Sequence, residues 1–269
     1  MHFDNKTIVV TGGASGIGQA AATEFARLRG NVAILDRNAQ SAGETAAALR
    51  EEGHRAQAFA VELAVSEQVQ QVMEQVVASF GGIDVLVNNA GIQRYGTAVT
   101  TPETQWDEVM NANVRSVFLA SKFAIPHIAR RGGGAIVVVG SVQSLTAQRN
   151  SFAYVASKHA LLGLGRSMAL DFAKDNIRVN CICPGAIDTP LLRWAASLDG
   201  NPERVIAACR QVSPMNRLGS PEEIARVIVF LASDQASFIT GAAIAADGGL
   251  LVPTGGMANQ EAGTGGGDR

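Results

Sequence analysis

From Lys6 to Asp247 short β-branched runs alternate with longer stretches in which apolar residues recur at helical spacing. Repeated strand–helix–strand units around a parallel sheet produce this alternation. The candidate strands are Thr7–Val10, Asn31–Leu35, Ala56–Ala60, Ile83–Val87, Ala135–Gly140, Ile177–Cys183 and Ala242–Ala246. Several are apolar nearly throughout, as strands covered on both faces should be. Helical periodicity marks Ile17–Arg29, Ala39–Glu52, Glu67–Phe80, Tyr154–Ala173 and Pro221–Leu231, with Gly or Asn near several ends as stops. Right-handed crossovers then predict a single doubly wound α/β domain with a seven-stranded parallel sheet flanked by helices.

The alternation breaks over 189–220, where Pro190, Pro202 and Pro214 surround one helical patch, Arg193–Leu198. An insertion between a strand end and the next helix lies where such a sheet places a substrate lid. The domain is expected to span 1–254. The Gly-rich segment 255–269 holds too little apolar surface to offset ordering and is expected to be a flexible tail.

Composition narrows the class. Twenty-two basic against 24 acidic side chains give a formal charge of −2, no field for attracting nucleic acid or an anionic membrane. With 47% hydrophobic and 5% aromatic residues the core is built from small aliphatic side chains. The chain carries neither a signal-peptide pattern nor an apolar run long enough to span a bilayer, so a cytoplasmic protein is expected. Cys181, Cys183 and Cys209 read as compact hydrophobes rather than a disulfide or metal set, with Cys181 and Cys183 turned to opposite faces of their strand. The histidines have no clustered carboxylates, and no metal is expected.

Candidate chemistry begins after the first strand, at Thr11-Gly12-Gly13-Ala14-Ser15-Gly16-Ile17-Gly18. Glycines at a strand-to-helix turn let the backbone approach a pyrophosphate, whose charge the helix N-terminus favours. Eighteen residues beyond Gly18, Asp36 closes the second strand and can accept hydrogen bonds from both ribose hydroxyls of an adenosine. The same carboxylate repels a 2′-phosphate, and neither Ala14 nor Ser15 is basic, so NAD is favoured over NADP. Arg37 is the dissenting side chain, since it could cover a 2′-phosphate. Tyr154 and Lys158 are four apart on a predicted helix and share one face. A phenolate base near neutral pH needs roughly 3–4 kcal/mol of help, about what a neighbouring cation supplies. Ser141 closes the fifth strand at the edge where such sheets bind ligands.

Together with Asn88-Asn89-Ala90-Gly91, Asn113 and Pro184-Gly185, these motifs make the chain resemble the classical short-chain dehydrogenase/reductase family over nearly its whole length. The resemblance implies a Rossmann-like fold and a tetrad of Asn113, Ser141, Tyr154 and Lys158. In it the tyrosine exchanges a proton with the substrate hydroxyl, the serine holds the oxygen, and the lysine binds the nicotinamide ribose and lowers the tyrosine pKa. Asn113 holds a relay water. It further implies cofactor contacts from Gly12, Ser15, Gly16, Ile17, Gly18, Asp36, Arg37, Glu62, Leu63, Asn89, Ala90, Gly91, Pro184, Gly185, Ile187 and Thr189. Glu62 departs from the aspartate usual there. A homotetramer is also implied, with the faces of Met110–Ile128 and Tyr154–Leu170 as interface.

For the substrate, Gln93, Arg94, Gln143, Arg149 and Arg193 are the polar candidates by position. A polar lining points to a small polyhydroxylated compound, a sugar or polyol, oxidised with NAD. A 3-oxoacyl-(carrier protein) reductase using NADPH and a non-catalytic dinucleotide sensor are the alternatives.

Overall fold

The computed structural model describes residues 1–252, so the Gly-rich tail and the end of the expected 1–254 domain lie outside the described residues. Seven parallel strands form one sheet in the order β3-β2-β1-β4-β5-β6-β7. They are β1 (Thr7–Thr11), β2 (Asn31–Asp36), β3 (Ala56–Ala60), β4 (Val85–Asn88), β5 (Gly134–Val139), β6 (Ile177–Pro184) and β7 (Ala243–Ala246). The α-helices of the described residues are α1 (Gly16–Arg27), α2 (Ala39–Glu51), α3 (Ser66–Phe80), α4 (Glu103–Met110), α5 (Ser116–Arg130), α6 (Phe152–Asp171), α7 (Pro190–Ser197), α8 (Pro202–Gln211) and α9 (Pro221–Ala232). No helix among the described residues is long and apolar enough to cross a membrane.

Period-two alternation divides β1 between two cores. Ile8 and Val10 join Phe25, Ile34 and Ile228 beneath α1 and α9, while Val9 joins Leu35, Met73, Leu86 and Leu161 beneath α3, α5 and α6. The same rule corrects the cysteine reading. Cys181 and Cys183 both face the second core, because residues two apart on a strand share a face, and Ile182 between them faces the other.

Strand order reverses between β1 and β4, so the loops leaving these strands diverge and open a crevice at the carboxyl edge. Thr11 ties the two loops together. Its hydroxyl donates to the Val87 carbonyl at 3.2 Å and accepts from the Asn89 and Ala90 amides at 3.0 and 3.2 Å.

The interruption over 189–220 is more helical than its prolines suggest. Pro190, Pro202 and Pro221 each open a helix at its first position, where the missing N–H has no intrahelical partner to lose. The apolar stretch Met110–Ile128 is not one helix either. A wider π-turn over Asn111–Arg115 separates α4 from α5 and bends the chain beside the crevice.

Candidate active site

A cavity of about 1030 Å³ occupies the crevice and runs from the Asp36 end of the sheet to the α7–α8 segment. Gly12, Ser15, Gly16, Ile17, Asp36, Arg37, Glu62, Leu63, Asn89, Ala90, Gly91, Pro184, Gly185, Ile187 and Thr189 line it. Gly12 has φ +63°, and a Cβ there would lie 2.9 Å from the Ala90 Cα. Only glycine lets the first loop pass so close to the second. Gly18 does not line the cavity, a correction to the cofactor set. A Cβ on it would meet the Gly12 carbonyl oxygen at 2.1 Å, so it allows α1 to pack against the turn.

The Asp36 carboxylate is oriented by its own loop. One oxygen accepts from the Ala14 amide at 3.2 Å and the other from the Asn38 amide at 3.0 Å. Both oxygens retain acceptor capacity for ribose hydroxyls. Glu62 turns its carboxylate back toward the Ala64 amide at 3.3 Å, the reach that its longer side chain allows.

At the far end Ser141, Tyr154 and Lys158 line the same cavity. Ser141 sits where β5 gives way to a short 3₁₀ turn, and its Oγ accepts from the Gln143 amide at 3.1 Å. Tyr154 lies in the first turn of α6 and lines the cavity together with Ser141. Lys158, one turn on, lies 5.6 Å from the Tyr154 ring centroid and donates to the Val139 carbonyl at 2.9 Å.

Burial pushes the Tyr154 phenol up to about 12, against the opposing pull of Ser141. Burial likewise brings the Lys158 ammonium down to about 8. The sequence suggests a phenol depressed by Lys158, whereas within the protein itself desolvation is the largest influence and raises it.

Asn113 stands one layer behind the cavity wall. Its Oδ1 accepts from the Ile92 amide at 2.7 Å, and its Nδ2 donates to the Ile92 carbonyl and to Ser157 Oγ, both at 2.9 Å. Ser157 Oγ in turn donates to the Tyr154 carbonyl at 2.7 Å. Sequence reasoning missed this linking role of Ser157, for a serine inside a helix carries no distinguishing spacing.

The substrate candidates separate. Gln93 and Gln143 line the cavity, but Arg94, Arg149 and Arg193 do not. Arg94 is held by Glu108 and Arg193 by Asp188, at 2.6 and 2.8 Å, so each guanidinium reaches outward to a carboxylate. Arg149 is exposed, although Thr146, Ala147 and Gln148 just before it line the cavity. The cavity instead receives α8, through Val205, Ala208 and Cys209, followed by Val212. Their spacing of three, four and seven was legible as a helical stripe, and only the reading of Pro202 as a breaker obscured it.

The family described as Enoyl-(Acyl carrier protein) reductase matches residues 12–251. Among curated proteins, the chain is 40% identical to cis-4-hydroxycyclohexanecarboxylate dehydrogenase of Sinomonas cyclohexanicum, over 92% of this chain and 97% of that protein. It is 35% identical to 3-oxoacyl-(acyl-carrier-protein) reductase of Thermotoga maritima, over 94% and 100%. Among solved structures, L-sorbose reductase of Gluconobacter frateurii, complexed with NADPH and L-sorbose, superposes with a TM-score of 0.89 at 34% identity, covering 94% of this chain and 98% of that one.

Proposed function

Since the chain belongs to the classical short-chain dehydrogenase/reductase family and acts on CH–OH groups, we propose that it is an NAD-dependent dehydrogenase of a small secondary alcohol. The observation that carries this reading is one cavity with Asp36 at one end and Ser141, Tyr154 and Lys158 at the other.

The cavity residues fit a nicotinamide dinucleotide: the Gly12–Gly16 turn lines the cavity at the N-terminus of α1, where a pyrophosphate would be held, Asp36 offers acceptors for the adenosine ribose, and Lys158 offers a cation for the second ribose. Bound NAD would supply the hydride acceptor and a positive charge to the site, while the chain's own residues handle the substrate oxygen and its proton. Ser141 holds the substrate oxygen, and Tyr154 removes its proton as the carbonyl forms. Lys158 stabilises the phenolate, and Asn113 positions the loop of Ile92 and the start of α6. A phenol at about 12 has to be lowered for this work, so the added positive charge is part of the chemistry rather than an accessory.

NAD is proposed over NADP because Asp36 is intact and its loop fixes it toward the cavity. Arg37 also lines the cavity and is the side chain through which NADP would enter. A carrier-protein substrate receives little support. The guanidiniums of Arg94, Arg193, Arg204 and Arg217, all in or beside the α7–α8 segment, are each paired with a carboxylate of the same chain. A polyhydroxylated substrate is the second reading, favoured by Gln93, Gln143 and Gln148 in the cavity. We further propose a cytoplasmic homotetramer, in which exposed Phe118 on α5 and Leu170 on α6 find cover.

Absorbance at 340 nm, with alcohols and ketones offered alongside NAD and NADP in parallel, tests the reading. NADH formation that is abolished in Tyr154→Phe supports it. Turnover confined to NADPH and 3-oxoacyl thioesters overturns both cofactor and substrate. Dinucleotide binding with no turnover of any substrate supports a sensor instead.

A further inference from the structure

The α7–α8 segment presents apolar side chains that the described residues leave uncovered. Val205, Ala208, Cys209 and Val212 recur at helical spacing on one stripe and line the cavity, yet α8 contains no buried residue. Val212 is 55% exposed and Leu191, at the cavity's edge on α7, 36%. Apolar surface kept in contact with water is unfavourable, and here it faces the same space as Ser141 and Tyr154. Whatever presents its reacting carbon to Tyr154 is therefore also what covers this stripe.

Charge narrows the occupant further. The cations lining the cavity are Arg37 at the Asp36 end, Lys158 in the catalytic group, and Arg204, which is held by Asp199 at 2.9 Å. Apart from Lys158, no unpaired cation lines the substrate end of the cavity among the described residues. Beside Ser141 the side chain of Gln143 lines the cavity, and its oxygen is buried with no hydrogen-bond partner among the described residues.

Resting on the dehydrogenase reading above, we propose that the substrate is an uncharged secondary alcohol, or its ketone, carried on a compact hydrocarbon body such as an alicyclic ring. It bears at most one further hydroxyl. The hydrocarbon covers Leu191 and the α8 stripe, and the reacting hydroxyl meets Ser141 and Tyr154. In oxidation the carbinol C–H leaves as hydride to NAD, the O–H proton passes to Tyr154, and the ketone is released. An open-chain polyol would set its hydroxyls against Val205 and Val212, where no partner awaits them.

The test compares kcat/KM at 340 nm, with NAD, for cyclohexanol and trans-cyclohexane-1,2-diol against sorbitol, xylitol and glucose. Alicyclic alcohols are expected to lead by roughly a hundredfold. Val212→Asn and Leu191→Gln should each lower kcat/KM for the ring alcohols about tenfold through KM, with Val212→Ile restoring it, while NAD affinity measured by fluorescence stays unchanged. A polyol or sugar turned over better than the ring alcohols overturns the proposal. So does a preference that neither lid variant moves, or a protein that binds NAD and oxidises no ring alcohol. Failure to bind NAD at all would instead strike the dehydrogenase reading on which the proposal rests.

Discussion

Asn113 grips the backbone of Ile92 at both ends, accepting from its amide at 2.7 Å and donating to its carbonyl at 2.9 Å. A side-chain amide paired with a peptide group in this way pins the loop that leaves β4, and its remaining hydrogen goes to Ser157 at the start of α6. Asn113 is fully buried, so all three bonds are made away from water. Asn113→Ala is expected to cost about 2–4 kcal/mol, because it strands buried partners as well as removing bonds. Thermal melting should show a fall of roughly 5–15 °C. A melting temperature within two degrees of the parent would mean that the loop holds itself.

Tyr154→Phe keeps the ring and loses only the hydroxyl that meets Ser141. NAD affinity should be retained while kcat for alcohol oxidation falls by about 10²–10⁴, the usual worth of a positioned proton acceptor. Because burial raises the phenol, oxidation by the parent enzyme should also speed up as pH rises from 7 toward 8, where Lys158 begins to lose its charge. A variant that turns over at the parental rate would remove Tyr154 from the chemistry.

At Asp36 two effects are coupled. The carboxylate both repels a 2′-phosphate and holds the Ala14 amide in the glycine loop. Asp36→Ala should therefore raise KM for NAD and, at the same time, shift the NAD-to-NADP ratio of kcat/KM toward NADP by about tenfold or more. Kinetics with both dinucleotides would decide this, and an unchanged ratio would assign the reading of the ribose to another residue.

The Lys158 ammonium is lowered to about 8 by burial, below its ordinary value of 10.5. Below pH 8 the folded protein carries a charge that it holds less comfortably than the unfolded chain does. Between about 8 and 10.5 the unfolded chain binds more protons, so this residue's contribution makes stability rise with pH. Lys158→Met should abolish turnover and flatten that part of the profile, with a gain over the parent near pH 7 of up to roughly 3 kcal/mol, offset by loss of the bond to Val139. Denaturant melts at pH 7, 8.5 and 10 would show it. A difference between the two proteins that is constant across that range would contradict the assignment.

Trp194 on α7 is clasped from the loop after β4. Its ring stacks on Tyr95 with centroids 6.4 Å apart, and the Arg94 guanidinium lies 5.4 Å above it, itself held by Glu108. These contacts are worth about 1–2 kcal/mol together. Trp194→Ala should raise substrate KM about tenfold and leave the melting temperature nearly unmoved, because α7 packs outside both cores. A large drop in melting temperature would show that α7 is part of the folding core and not a separable cover.

By itself the sequence determined the sheet, the order of its elements and the chemistry at its carboxyl edge. Strand and helix periods, and turns built on Gly12 and Gly16, are local properties, and a local period is visible in a linear string. Tyr154 and Lys158 were legible for the same reason, being four apart on one helix. What only the tertiary structure decided depends on which distant groups meet. Arg94, Arg149 and Arg193 looked like a polar lining by position, yet carboxylates of the same chain draw the first and last outward. Asn113 is occupied by Ile92, and Gly18 serves the packing of Gly12. The pKa values of Tyr154 and Lys158 also follow from burial, which no spacing of residues expresses. A side chain's partner is settled by long-range packing that closes only when the whole fold does, and so the scaffold of this site could be read in advance while its substrate wall could not.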